Sequence, residues 1–380
     1  MHPLLAFARA KQSEIIAMIR ELVECESPSD HPPSVNRFVD LLASKLDGSQ
    51  VRMFPGGRFG RHLRAEFALP GPRKPRDGRI LALGHSDTVW PLGTLQQMPF
   101  HEKSGRLWGP GVLDMKSGIV FFLFAVRALR ELDIPIARRV VLQVNSDEEV
   151  GSDSSRSLTE EAAKNCGAVL VLEPGTGMTG KIKTARKGVG SYMVSVHGRA
   201  SHAGVDFENG ASAVVELARQ IERIVAFTDL DRGLTVNPGV IAGGTRSNVV
   251  AAEAWADVDM RIARLKDAPA LDKKFHRLRP FDRRCSITVT GGMNRPPMER
   301  TPAIRKLFEL ARVCAGEIGV KLEESSTGGG SDGNFTAAMG IPTLDGLGGV
   351  GEGAHAPNES ILINRIADRT ALLAMLLSKL

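Results

Sequence analysis

Seven residues of this chain are of the types that bind metal ions or move protons: His85, Asp87, Asp114, Glu148, Glu149, Glu173 and His355. Imidazole nitrogens and carboxylate oxygens suit a divalent cation, and a carboxylate left over beside the ion can accept a proton. Several of the seven stand where an apolar run breaks off. Ile80-Leu81-Ala82-Leu83-Gly84 delivers His85-Ser86-Asp87, Val140-Val141-Leu142-Gln143-Val144 leads to Asp147-Glu148-Glu149, and Ala168-Val169-Leu170-Val171-Leu172 ends on Glu173. Short runs of this composition read as buried parallel strands. Ligands of open α/β sheets bind beyond the carboxyl ends of such strands. Three strand ends bearing acids and an imidazole therefore imply one site, whose negative charge requires cations.

Each residue also has a plainer reading. Asp114 could cap the helix that starts near Ser117, Glu148-Glu149 could be an exposed turn, Glu173-Pro174-Gly175 a loop, and His355 a loop histidine. Asp87 falls two residues after His85, on the same side of an extended backbone. It suits the partner that fixes the tautomer of a ligating imidazole.

The elements around these residues alternate. An amphipathic helix near 4–24, with charges through its apolar part and no small-residue cleavage site, argues against a signal peptide. A helix near 34–46 and strands near 51–54, 63–68 and 80–84 follow, then an apolar helix over 117–132, a strand at 140–145, a polar helix near 153–164 and the strand that ends at Glu173. This is an α/β pattern. The order then changes to strand 188–197, helix 209–227, strands 235–242 and 248–262, helix 268–279 and strand 285–290. That β-α-β-β-α-β order is the split ferredoxin-like unit. Helix 302–316, the loop Gly328-Gly329-Gly330-Ser331-Asp332, a strand near 341–345, the His355 loop and a helix at 363–380 resume the first style. The expected organisation is a metal-binding catalytic domain, 1–186 and 298–380, interrupted by an inserted domain, 187–297.

The net charge of +6 is spread out. Its densest stretch, Arg58, Arg61, Arg64, Arg73, Lys74, Arg76 and Arg79, is broken by prolines and carries no nucleic-acid motif. A solvated rim is expected there, with attraction of small anions and no nucleic-acid partner. No apolar run reaches about 18 residues, so no membrane span is expected. Cys25, Cys166, Cys285 and Cys314 are scattered without a C-x-x-C pair, which points to reduced thiols and a cytoplasmic protein. Gly346-x-Gly348-x-x-Gly351 matches a dinucleotide fingerprint as a string, but no apolar helix follows it. The full Walker string G-x-x-x-x-G-K-[ST] is missing, because Ile182 follows Lys181.

His85-Ser86-Asp87-Thr88-Val89, Gly111-Val112-Leu113-Asp114-Met115-Lys116-Ser117-Gly118, Asp147-Glu148-Glu149-Val150-Gly151 and Glu173-Pro174-Gly175 resemble the motifs of the M20 metallopeptidases. Ser201-His202-Ala203-Gly204, Gly328-Gly329-Gly330-Ser331-Asp332 and Gly353-Ala354-His355 match in order, and the nearest branch resembles the glutamate carboxypeptidases of the carboxypeptidase G2-like type. The resemblance spans nearly the whole chain. It implies a zinc-exopeptidase-like α/β fold, a mixed sheet flanked by helices, with an inserted ferredoxin-like α+β domain serving as lid and dimer interface. It implies two zinc ions, replaceable by cobalt or manganese: one on His85, Glu173 and a bridging Asp114, the other on Glu149, His355 and the same Asp114. A non-proline cis peptide after Asp114 is implied as well.

In that scheme Glu148 holds no metal and becomes the general base, with Asp87 behind His85. His202 of the inserted domain would reach the partner subunit's site and stabilise the oxyanion, so the chain is expected to be a homodimer. The substrate is a small molecule or short peptide with a free carboxylate beside the scissile amide, a folate-like or N-acyl glutamate above all. Arg261, Asn248 and Arg295 sit at matching substrate-binding positions, with Arg300 and Arg246 as nearby competitors for the place of Arg295, and Gly329 and Gly330 could offer backbone N–H groups to an anion. Arg261 could otherwise be a surface charge and the glycine loop a linker. Arg186-Lys187-Gly188 matches the family's entry to the inserted domain and is expected to serve as a hinge. Two rival readings are an N-acyl-amino-acid deacylase of the acetylornithine or succinyl-diaminopimelate type, and a catalytically silent metal-binding scaffold. Glu148 and His202 speak against the scaffold, because neither is needed merely to hold metal.

Overall fold

The computed structural model describes residues 1–72 and 75–380. Arg73 and Lys74 of the basic stretch lie outside the described residues. The chain forms two compact units: Met1–Ala185 with Arg300–Thr327 and Ser331–Leu380, and Arg186–Glu299 with Gly328–Gly330.

In the first unit a six-stranded mixed sheet runs in the order Ser49–Pro55, Arg61–Phe67, Arg139–Asn145, Arg79–His85, Cys166–Val171, Thr343–Leu344. The first two strands are antiparallel to their neighbours, whereas Arg139–Asn145, Arg79–His85 and Cys166–Val171 are mutually parallel. Residues 80–85 and 140–145 are buried throughout, the signature of strands covered on both faces. Helix Ser117–Glu131 is apolar almost all round and correspondingly buried, packed against helix Ile366–Lys379. Its start presses on the end of the strand that leads to Glu173. A Cβ on Gly118 would lie 2.0 Å from the Leu172 carbonyl oxygen, so only glycine fits.

A second, antiparallel sheet orders Gly351–Glu352, Ser360–Leu362, Arg106–Trp108 and His101–Lys103. It lays the segment carrying His355 beside the segment that runs into Asp114.

The second unit is an antiparallel sheet in the order Thr235–Gly243, Glu253–Ile262, Gly188–His197, Ser286–Arg295, with helices Ala213–Val225 and Ala268–His276. Tyr192, Val194 and Val196 alternate with Ser191, Met193 and Ser195, and the first set joins Val258, Met260, Leu217 and Phe275 in the core. The other face of the sheet carries no helix of this unit's core.

Some elements differ from the sequence-based expectation. The helix expected near 4–24 is two, Pro3–Ala10 and Gln12–Glu24, divided at Lys11. The first half packs on helix Ile366–Lys379 and the second also on helix Pro32–Ala43, so one apolar stripe serves different neighbours. The strand expected from 248 begins at Glu253, because Val249 bridges to His202 instead. Among the described residues no helix is long and apolar enough to cross a membrane, and the four cysteines are free.

Candidate metal centre

The three parallel strands end at one edge, with His85 opposite Asn145 and Leu83 opposite Val171 in register. That edge gathers His85, Glu148, Glu149 and Glu173. Asp114 arrives from the turn before helix Ser117–Glu131, and the Asp114–Met115 peptide is cis. The helix takes Lys116 as its N-cap, so Asp114 is not its cap. His355 arrives from the loop after Gly351–Glu352, with φ +60°, a left-handed conformation that costs a residue with a Cβ about 1–2 kcal/mol.

Two imidazoles meet on one carboxylate. His85 Nε2 lies 3.2 Å from Asp114 Oδ1 and 3.5 Å from Glu173 Oε1. His355 Nε2 lies 3.4 Å from Asp114 Oδ2 and 3.2 Å from Glu149 Oε1. Glu148, 9% exposed, brings a carboxylate oxygen within 4.8 Å of ligand-type atoms of His85 and Glu173.

Asp87 ties these parts together. Its main-chain oxygen, not its carboxylate, is at hydrogen-bond distance from His85 Nδ1, at 2.9 Å; the carboxylate Oδ1 stands 3.6 Å away. The carboxylate instead accepts the backbone N–H groups of Glu148 and Glu149, both at 3.2 Å, and the Ser29 hydroxyl at 2.8 Å. Asp87 therefore leaves Nε2 of His85 facing the acids and fixes the backbone from which Glu148 and Glu149 project.

Five carboxylates (Asp87, Asp114, Glu148, Glu149, Glu173) thus share a largely buried space with two imidazoles. Burial alone would lower the His85 pKa, but Asp114 and Glu173 outweigh it and hold it well above the ordinary histidine value. Asp114 and then Glu149 push His355 up to about 10. Burial would raise Asp114, yet His355 and His85 hold it well below the usual carboxylate range. Burial raises Glu149. The acids are asking for positive charge. Donors around a tetrahedral zinc ion with bonds of about 2.0–2.1 Å stand about 3.3–3.4 Å apart. The four nitrogen–oxygen distances here run from 3.2 to 3.5 Å. The donor set and its spacing fit two divalent ions sharing Asp114.

The remaining expected site residues lie in the second unit. His202 is exposed, and its Nδ1 accepts the backbone N–H groups of Gly204 and Val205, both at 3.1 Å. That leaves the proton on Nε2, where it can be donated outward. Asn248 lies alongside: its carbonyl accepts the Ala203 N–H at 3.0 Å. Arg261 and Arg295 both stand opposite Val189, so the two guanidinium groups leave the same face of the sheet two strands apart. The Arg261 fork is engaged by Asp259 at 2.8–3.0 Å, and its Nη1 donates to the Gly328 carbonyl at 3.2 Å. Arg186, expected only as a hinge, donates to the carbonyls of Gly329 and Gly330 at 3.2 and 2.7 Å. Reading the sequence also misses Ser29, Trp90 and Glu359. The one available signal for Glu359 is its place four residues after His355 in the same loop.

The sequence model of Peptidase family M20/M25/M40 matches residues 81–379. The chain is 31% identical over 383 residues to carboxypeptidase G2 of Pseudomonas sp. (strain RS-16), covering 98% of this chain and 91% of that one. It is 29% identical over 373 residues to succinyl-diaminopimelate desuccinylase of Paracidovorax citrulli (strain AAC00-1), covering 91% and 94%. Among solved structures, aminopeptidase PepT of Bacillus cereus ATCC 10987 superposes with a TM-score of 0.78 at 22% identity, over 97% of this chain and 98% of that one. That last likeness speaks for the fold alone.

Proposed function

The chain belongs to Peptidase family M20/M25/M40 and is a hydrolase, and from that premise we propose that it cleaves an amide bond beside a free carboxylate, releasing C-terminal glutamate from N-acyl or folate-like substrates. The observation that carries the reading is the division of Asp114 between His85 on one oxygen and His355 on the other. His85, Glu173 and Asp114 would hold one zinc ion, and Glu149, His355 and Asp114 the second. Such a pair, when bound, supplies an acidified water and a polarised substrate carbonyl.

Glu148 takes the proton from the attacking water and returns it to the leaving nitrogen. Asp87 supports this by holding the Glu148 and Glu149 amides. His202, its Nε2–H set outward by two backbone donors on Nδ1, donates to the oxyanion with Asn248 beside it. Arg261 and Arg295, on one register row, take the substrate carboxylates, while Gly329 and Gly330 close that end. Arg261 must exchange Asp259 for the substrate in doing so.

Residues 187–297 act in this reading as an inserted domain that makes a homodimer. The strand Thr235–Gly243 supports it: among the described residues it is an open sheet edge, and Val240 and Ile241 are 53% and 61% exposed. Four free thiols favour a cytoplasmic location. The desuccinylase relative supports a second reading, removal of a small acyl group by the same groups. A panel of N-acyl glutamates, dipeptides and acylated amino acids, assayed with zinc, cobalt and manganese, separates the two. Glutamate release from a folate-like substrate carries the first, and preference for succinyl or acetyl amides carries the second. No turnover of any amide by metal-loaded protein would leave only a scaffold.

A further inference from the structure

The loop that ends on Asp114 is held by a buried acid outside the ligand set. Glu359 is fully buried. Its Oε1 accepts the backbone N–H groups of Leu113 and Asp114 at 2.9 and 3.0 Å. Its Oε2 accepts the N–H of Gly111 at 2.9 Å and the indole Nε1–H of Trp90 at 2.8 Å. Four donors thus converge on two oxygens. A glutamate side chain can accept on both of its oxygens at once, which matches this set of donors.

Glu359 also belongs to the His355 segment. Its own N–H donates to Ala356 O at 2.9 Å, and its carbonyl accepts the Gly109 N–H at 3.3 Å. The next residue, Ser360, pairs with Trp108. Backbone and side chain together therefore lock the His355 loop to the Gly109–Asp114 turn. His85 and Glu173 sit at or just past the ends of sheet strands, whereas His355 comes from a loop in a left-handed conformation. The position of His355 relative to Asp114 depends most on this lock.

We infer that Glu359 is a positioning residue that sets the Asp114 carboxylate against His355, so that both ions of the pair can share it. The inference rests on the dinuclear reading above. A Glu359→Gln side chain keeps the shape but has one oxygen, and its amide group would confront two of the four donors.

The test is a Co2+ titration of the metal-free full-length protein, followed by visible absorption, with kcat and KM measured alongside. The unmodified protein should take up two ions; failure there sinks the dinuclear reading and not this one alone. Glu359→Gln should bind the ion at Glu149 and His355 about 10–100-fold more weakly, as loss of a partner behind a ligand typically does. It should show an altered Co2+ band and lose kcat with KM little changed. Retention of both affinities and of the parent band in folded Glu359→Gln would overturn the inference. If the variant does not fold, amide hydrogen exchange of the unmodified metal-free protein decides. Slow exchange at Gly111, Leu113 and Asp114 supports the lock, and fast exchange at all three refutes it.

Discussion

The backbone N–H of Glu148 donates to Asp87 Oδ1 at 3.2 Å, so the residue behind the His85 imidazole also anchors the acid proposed above as the base. Glu148 lies beside Glu149, which faces His355, and near His85 and Glu173. Glu148→Ala is expected to keep both metal ions and lose about 10²–10⁴-fold in kcat, the usual contribution of a general base. Metal content and steady-state kinetics on the same preparation check this. Normal turnover would remove Glu148 from the role.

Metal uptake should release protons. The free site holds His355 protonated up to about pH 10 and His85 protonated well above its ordinary range, and neither imidazolium nitrogen can ligate. Affinity for zinc should therefore rise with pH below about 10, and calorimetry in buffers of different ionisation enthalpy should register the released protons. The sign for stability runs the other way in the metal-free protein. A histidine whose folded pKa is raised stabilises the fold fully below its unfolded value near 6.5 and ceases to as pH climbs through about 10. Metal-free protein should thus melt lower at pH 9 than at pH 6, and zinc should remove most of that difference. A pH-independent zinc affinity would contradict the charge assignment.

His202 presents one outward donor, and removing such a donor typically costs about 10²–10³ in kcat. If it acts across a dimer, His202→Ala and Glu148→Ala chains, each nearly inactive alone, should regain activity on mixing. Each mixed dimer then contains one site with Glu148 and the partner's intact His202. No recovery in verified mixed dimers would place His202 in its own subunit's site or in none. A fully active monomer would dismiss the dimer altogether.

Arg261→Lys should raise KM for carboxylate-bearing substrates about tenfold or more, the scale of one charge-assisted hydrogen bond, with kcat nearly unchanged. Asp259 occupies the same guanidinium, so Asp259→Asn should lower KM. An unchanged KM in the lysine variant would return Arg261 to a structural pairing with Asp259.

What the sequence made legible follows from how strongly each element is patterned. The parallel strands before His85, Glu148 and Glu173 are continuous apolar runs, which admit few other readings. The inserted β-α-β-β-α-β unit alternates clearly, because one sheet face is packed and the other is not. The small sheet beside the metal centre was illegible for a simple reason: its strands are as short as Gly351–Glu352, with two residues, and His101–Lys103, with three, too few to show alternation. Glu359 was missed with it. A buried acid that satisfies backbone N–H groups offers little beyond its nearness in sequence to His355, because its partners are set by the fold. The Arg261–Asp259 contact was missed as well, although the two residues lie two apart on one strand face, where same-side alternation places them together.

The central claim is that two divalent ions share Asp114. It is tested most directly by diffraction from zinc-loaded crystals at the zinc absorption edge. Two anomalous peaks are expected to flank the Asp114 carboxylate, one bonded to His85 and Glu173 and the other to Glu149 and His355. A single peak, or peaks that leave either imidazole uncoordinated, would contradict it.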